Sequence, residues 1–518
     1  MSNKLHKNGK NKKKGKNHEG AMSPDRGIVN IYLLLLVTFF PLVFWDFYFN
    51  IADVKFIVFT SMTLMALTFW LIYAIWNRNI RLQSFKGARG WICIWALVAV
   101  VSTIFSDNRT IALMGNDGRS FGLITVCCLA VMFILISQYR INYTFFINVF
   151  LGTASIVSLL AVVNFLGLDF IGFYDGVDYG MRELFQTTLG HVDICSNFFS
   201  VVVPISFFMF LFEENKKRRK YYFFTLWCSF MGSFAGGCDS GYIICAVTVI
   251  LTLVFMDSYK RLGYAAFAAL ILVITSKGMM LVNGLFEHGK NMDSIAIMVT
   301  DGKTIAVMAI VMVCTCVLCF FRCNSSSSKE FGIVKKVLLA VVGCGVAAAI
   351  AVFVYFSFID TDSNIGSMAN ILRFDEEWGS RRGYIWKRGM QYYADSSFID
   401  KLIGVGPDTL QQALSKVYGD EMLARFSAYY DNMHNEYMQY LITTGIFGLV
   451  SYIGVVVCVI KTGIANMKNN IYVRALLSGV ICYLVQAMVN VNQILTTPYL
   501  FIAMAMIYAS LIPVAKEQ

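Results

Sequence analysis

The chain reads as an all-α polytopic integral membrane protein with about 12–14 transmembrane helices and one large extracytoplasmic loop containing short amphipathic helices. Three observations predict this. Of its residues 57% are hydrophobic and only 14% are charged, with a mean hydropathy of +0.62, far from the balance of a soluble domain. Apolar segments of roughly 20 residues, enough to cross a bilayer core of about 30 Å, recur from end to end. A single long polar stretch, about 358–435, interrupts them.

Residues 1–27 come first. Lys4, Lys7, Lys10, Lys12, Lys13, Lys14, Lys16 and Arg26 lie there among Gly and Asn, with no aromatic ring to stack a base. That composition predicts a disordered, solvated cytoplasmic arm that meets anionic membrane lipids and not nucleic acid. The apolar run that follows is long enough to span and lacks a small-residue cleavage pattern, so a retained span is expected in place of a cleaved signal peptide. About eleven spans then fill 28–357: 29–49, 54–76, 90–105, 121–137, 143–166, 192–212, 221–236, 241–256, 262–282, 303–321 and 334–357. Three more, 436–460, 471–491 and 495–513, occupy the last part, 436–518.

Orientation follows from Lys and Arg, which stay cytoplasmic in short loops. With the N-terminus inside, that side receives the basic arm, the Arg78 to Arg89 loop, Lys216 to Lys220, Lys260 and Arg261, Arg322 to Lys336, and Lys461 to Arg474. Both termini are then cytoplasmic. The chain has 14 cysteines, but nearly all sit inside apolar segments, as at Cys127, Cys128, Cys314, Cys316, Cys319 and Cys458, and read as small buried hydrophobes. With 5 histidines and no Cys/His cluster at ligand spacing, neither a metal nor a cofactor is expected.

The polar stretch carries too many charges, and the turn formers Gly404, Gly406 and Pro407, to span. Ile385, Trp386, Met390 and Tyr393 fall at helical spacing with arginines on the other side, which predicts an amphipathic helix lying on the membrane surface. Pro407 suits a first helical position, followed by Leu410, Leu414 and Val417 at the same spacing. Gly404 and Gly406 leave two readings open: backbone amides approaching an anion, or a tight turn between two surface helices.

His434 opens the next span. For a helix starting there, Gly445 lies almost three turns on and roughly 16 Å deeper on the same face, with Gly448 beside it. That face is smooth enough for another helix or a lipid chain. The helix start disfavours imidazolium and keeps the ring able to accept a proton. From the residues alone, His434 is either such a base or an interfacial polar residue capping a spanning helix. Isolated arginines lie in three outer segments: Arg119 within Gly115 to Gly122, Arg182, and Arg381 with Arg382. Guanidinium groups grip phosphate oxygens bidentately, so several of them near one face with a histidine suit a lipid carrier with a pyrophosphate headgroup.

At these residues the chain resembles the O-antigen ligase and O-antigen polymerase superfamily of bacterial envelope glycan enzymes. His434-Asn435, nine residues, then Gly445-Ile446-Phe447-Gly448 is similar to the ligase signature. Arg382 to Trp386 followed by Gly404-Val405-Gly406-Pro407 resembles the loop pattern of an Arg, a Trp four residues later and a Gly-x-Gly-Pro turn. Gly115 to Gly122 resembles the earlier outer arginine segment, and Leu189-Gly190-His191-Val192-Asp193 the Leu-Gly-Asn-x-Asn stretch. Two departures stand out. Cys238-Asp239-Ser240-Gly241 occupies the place where many members carry Ser-Arg, and the spans outnumber those usual in ligases.

The resemblance implies an inverting, GT-C-like glycosyltransferase of the bacterial cytoplasmic membrane. Its donor would be an undecaprenyl-pyrophosphate-linked glycan, and its acceptor a hydroxyl on a glycan, lipid or cell-wall component. Arg119 and Arg382, with Arg381, would hold the pyrophosphate in place of a metal, and His434 would take the acceptor proton. Asn435 would orient acceptor or imidazole, and the helix around Trp386 would exclude water. A repeat-unit polymerase with the same donor chemistry fits these residues equally. A lipid-linked-glycan flippase is the rival from another class, kept in play by Asp239 near the break between the seventh and eighth spans.

Overall fold

The computed structural model describes residues 23–512 except 47, 49, 79–81, 239 and 324–327. Most of the basic arm and Asp239 therefore lie outside the described residues. Each of the fourteen apolar segments coincides with helix, and the described residues hold almost no strand. Among the described residues, nine helices are long and apolar enough to cross a membrane, and four shorter apolar ones accompany them. The molecule is an all-α polytopic membrane protein.

Helix ends follow local chemistry. The first helix is Pro24–Leu42 and not 29–49, because Pro24 fits the first helical turn and the chain turns extended at Val43. Its last carbonyls are then left without intrahelical donors. The buried Lys55 ammonium donates to Phe40 O at 2.7 Å and Pro41 O at 3.2 Å, and the Thr188 hydroxyl to Pro41 O at 2.6 Å.

Val192–Phe212 is the hub, with 94% of its apolar window buried. It packs on Lys216–Ala235, Ser240–Phe255 and Ile471–Gln486, and the last helix, Thr497–Ala509, is buried along its whole length. Gly302–Arg322 and the following helix, Ser328–Val354, lie at the periphery with almost nothing buried, so their apolar side chains face lipid.

The expected single helix over 436–460 is two. Glu436–Thr443 ends at Thr444, and Gly445–Asn466 begins at Gly445 with φ +67°. A β-carbon on Gly445 would sit 2.3 Å from the Leu402 carbonyl carbon, and one on Gly404 would sit 2.3 Å from that of Thr443. The two backbones interlock: Val405 N–H donates to Ile442 O and Gly406 N–H to Thr443 O. Gly445 and Gly448 therefore do not form a smooth lipid-facing stripe. Gly448 is buried against the Thr444 side chain, and Gly445 seats the polar loop.

That loop has its own core of Tyr384, Ile385, Leu410, Leu414, Met422, Met433 and Ile442. The apolar face of the Arg382–Asp395 segment packs into this core and does not lie free on a membrane surface. Helix geometry there begins only after Gly379, Ser380 and Arg381, all at positive φ. The second loop helix is Leu410–Phe426, three residues beyond Pro407, because Asp408 adopts φ +59°.

Gly445→Ala should lower stability by roughly 1–3 kcal/mol from left-handed backbone alone, with further loss from the overlap. The check is thermal unfolding of the purified protein in detergent. Gly343→Ala, on a helix with nothing within 4 Å, is the control and should leave the midpoint level or higher.

Candidate active site

His434 has φ +46°, a left-handed conformation unusual for a bulky residue. The surrounding structure holds it there. Its N–H donates to Asn432 Oδ1 at 2.9 Å, and Met433 N–H donates to Gln439 Oε1 at 3.0 Å. Trp386 Nε1–H donates to Met433 O at 2.8 Å. On the far side Asn435 caps the next helix, accepting from the N–H groups of Tyr437 and Met438, while Glu436 N–H donates to Ala487 O. Strain maintained by so many contacts is a mark of functional sites.

These bonds revise two expected roles. Asn435 Oδ1 is engaged as a helix cap, so its carbonyl is unavailable to orient an acceptor. The helix begins at Glu436, which leaves His434 just before it. Trp386 shapes the His434 turn through the Met433 carbonyl, which makes it a positioning residue.

The imidazole Nδ1 is buried and has no hydrogen-bond partner. Burial, and next the positive charge of Arg382, push the His434 pKa down to about 4, against the opposing pull of Asp193 and Asp431. The ring is therefore neutral at physiological pH. Arg382 donates through Nη1 to Gly379 O at 2.9 Å, its Nη2 stands 3.8 Å from Asp193 Oδ2, and its Nε is buried without a partner.

Asp193 and His191 come from the other half of the molecule. Phe185–Gln186 and Gly190–His191 pair as a minimal antiparallel hairpin that delivers His191 to the N-cap of Val192–Phe212, where its Nδ1 accepts from Asp193 N–H. Burial lowers the His191 pKa, with Asp193 opposing. Asn490 Nδ2 donates to Asp193 O, and Lys290 Nζ donates to Gly236 O at 2.6 Å. Burial also lowers the Lys290 pKa.

Arg119 is placed differently from expectation. Its Nε lies 2.8 Å from Asp408 Oδ1, with the arginine 4% and Asp408 3% exposed. Its Nη2 donates to Asn492 O, and Asp408 Oδ2 accepts from the N–H groups of Asn116 and Phe121. This ion pair ties the 115–122 loop to the turn at 404–408, while Arg119 Nη1 is buried without a hydrogen-bond partner. Arg381 also turns elsewhere: half exposed, it covers the Phe426 ring at 4.8 Å and lies 3.8 Å from Glu377.

Beside this cluster, an apolar cavity of about 510 Å³ lies between helices of the 192–354 region. Val203, Phe207, Leu226 and Phe230 are among its walls, with Gly237 and Cys238 at the end next to Lys290, whose Cε lies 3.5 Å from a β-carbon built on Gly237. Among the described residues, no group of three or more His, Cys, Asp or Glu side chains is arranged to hold a metal ion.

Residues 292–453 match the family model described as O-Antigen ligase, a range that holds the polar loop, His434 and the Gly445–Gly448 pair. Over that range the chain is similar to O-antigen ligases. Comparison with curated proteins gives no match.

Of the residues expected at the site, His434 and Arg382 come together, Trp386 and Asn435 brace the turn around His434, Arg119 pairs with Asp408 while its charge also acts on His434, and Arg381 covers Phe426. Asp193, Asp431 and Lys290 were not singled out from the sequence. Asp193 lay inside a motif already noted and Asp431 three residues from His434, whereas nothing local marks Lys290.

Asp408→Asn should destabilise the protein by about 3–5 kcal/mol, since it leaves the Arg119 charge buried and uncompensated. Arg119→Met combined with Asp408→Leu should recover much of that loss in the same thermal melt, because the pair is then removed whole.

Proposed function

We propose that the protein transfers a glycan from a polyprenyl-pyrophosphate carrier to an acceptor hydroxyl at the outer face of the cytoplasmic membrane, with His434 as the base. One observation carries this reading. A neutral imidazole with a buried, unpartnered nitrogen stands in one cluster with Arg382, whose Nε is also unpartnered. The first is the state a proton acceptor needs, and the second is a donor aimed at developing negative charge. The apolar cavity ending at Gly237 and Cys238 gives a lipid chain somewhere to lie with its headgroup at the cluster.

The steps balance. The acceptor O–H gives its proton to an imidazole nitrogen of His434 as its oxygen bonds to the anomeric carbon. The bond from that carbon to the pyrophosphate oxygen breaks, and the electron pair leaves with the polyprenyl pyrophosphate. A single displacement inverts the anomeric configuration. Arg382 stabilises the departing charge. Arg119 acts at a distance by fixing the loop.

His434→Ala should lower transfer of a fluorescent lipid-pyrophosphate glycan by the 10²–10⁴-fold typical of lost general-base catalysis while leaving the melting point intact. Full activity in that variant would remove His434 from the mechanism. Arg382→Lys should raise the donor KM about tenfold, since an ammonium lacks the bidentate fork.

The pH profile gives a second check. Because the free-enzyme imidazole is protonated only near pH 4, kcat/KM should stay level down to about pH 5 and fall below it. A bound pyrophosphate adds negative charge beside the ring and stabilises imidazolium, so the acid limb of kcat should lie at higher pH than that of kcat/KM. Product length separates joining of repeat units from attachment to another anchor.

A further inference from the structure

A second cavity, of about 280 Å³, lies against the Phe185–Gln186 strand of the hairpin. Its character is unlike that of the apolar one. Asn164, Tyr174, Arg182, Phe185, Gln186 and Lys290 are among its walls. Its volume is near the roughly 300 Å³ at the lower end of small-molecule sites, room for one sugar ring and not for a chain.

Most polar groups here are already used in building the walls. Asn164 Oδ1 accepts from Thr187 N–H, and the two Asp169 oxygens accept from the N–H groups of Phe173 and Tyr174. Gln186 is different: it is 2% exposed, yet its Oε1 has no hydrogen-bond partner. A buried amide oxygen left in this state calls for a ligand or water to complete it. Gly236, with no side chain, leaves the amide uncovered, since a β-carbon there would stand 3.2 Å from Gln186 Nε2. Lys290, which donates to Gly236 O, has three donors and so keeps capacity for more acceptors.

Tyr174 and Phe185 add aromatic rings to the walls, with Tyr48 packed behind them. Tyr48 stacks on Phe185 at 5.0 Å and on Phe173 at 5.5 Å, and packs against Tyr174 at 5.7 Å. An amide and an ammonium together with flat rings match the two chemistries of a pyranose, whose edge carries hydroxyls and whose face carries C–H groups. The hairpin connects this cavity to the reaction centre, because the Phe185 ring meets the His191 ring edge-on at 6.0 Å.

We propose that this cavity is a sugar subsite, in which Gln186 and Lys290 hold the hydroxyls of one pyranose unit of the glycan while Tyr174 and Phe185 line its C–H face. The choice of a sugar rests on the glycan-transfer reading above. The subsite sets which glycan is accepted, and the His434 cluster performs the chemistry.

The test is saturation-transfer NMR on the full-length protein in detergent with methyl glycosides of glucose, galactose, N-acetylglucosamine and glucuronic acid. At least one glycoside should receive saturation from the wild type, and its affinity should drop tenfold or more in Gln186→Leu. The melting point of Gln186→Leu should hold or rise, because leucine removes a buried polar atom that has no partner. A purely structural glutamine would instead lower it. If Gln186→Leu does not yield folded protein, Gln186→Ala carries the same expectation.

Contact with none of the four glycosides, or equal contact in wild type and variant, overturns the subsite. The outcomes separate from those of the transfer assay. Glycoside binding without transfer would leave the pocket standing and sink the reaction reading, and transfer without glycoside binding would do the reverse.

Discussion

The site depends on one backbone contact, the mutual insertion of the Gly404–Gly406 turn and the Thr443–Gly445 helix break. Neither tolerates a β-carbon, because each occupies the space where the other's would stand. The contact leaves no freedom of register, since Val405 and Gly406 donate to two successive carbonyls, those of Ile442 and Thr443. Ser102 and Ser106 tie a third element to the same place through Thr443 O and Val405 O. The polar loop is thereby fixed on the membrane bundle close to His434, and the buried Arg119–Asp408 pair fastens it a few residues further on.

Fixing the loop in this way determines the electrostatics of the imidazole. Arg382 belongs to the loop, Asp193 to the hub helix and His434 to the turn between loop and last helices. No two of them share a secondary-structure element. Their pairwise effects on His434 exist only when all three segments are docked, so the proton-accepting state is a property of the assembled fold. Burial dominates the shift and Arg382 reinforces it, and the two carboxylates weaken it without reversing it. A pyrophosphate arriving at Arg382 would change the sign of the local field. The ring is then most able to take a proton when donor is present, which suppresses idle protonation of the empty site.

Periodicity and composition made the helices legible because burial in lipid demands long apolar runs whatever packs beside them. They could not reveal the break at Thr444, since Gly445 has the same place in the pattern whether it smooths a helix face or ends a helix. The loop's amphipathic helix was legible as amphipathic, but the pattern does not say whether its apolar face meets lipid or other residues such as Leu410 and Met433. His434 and Arg382 stood out because each is a rare charge-bearing type next to an apolar run. Arg119 stood out for the same reason and proved to be paired, because Asp408, nearly three hundred residues away, leaves no trace in the local sequence. Lys290 and Gln186 were invisible for the converse reason: ordinary residues become significant only through what the fold puts beside them.

The two cavities divide the neighbourhood of the cluster by polarity. One is apolar and lies among spanning helices; the other is lined by amides, charges and rings and lies against the hairpin. Lys290 borders both: it lines the polar cavity, and its Cε lies 3.5 Å from a β-carbon built on Gly237, which lines the apolar one. A substrate with a hydrocarbon tail, a charged middle and a sugar end has the same order of polarity. The position of Lys290 is then understandable. A buried ammonium is disfavoured by its surroundings, and negative charge placed between the two cavities would relieve that cost while fixing the depth at which a lipid-linked group comes to rest.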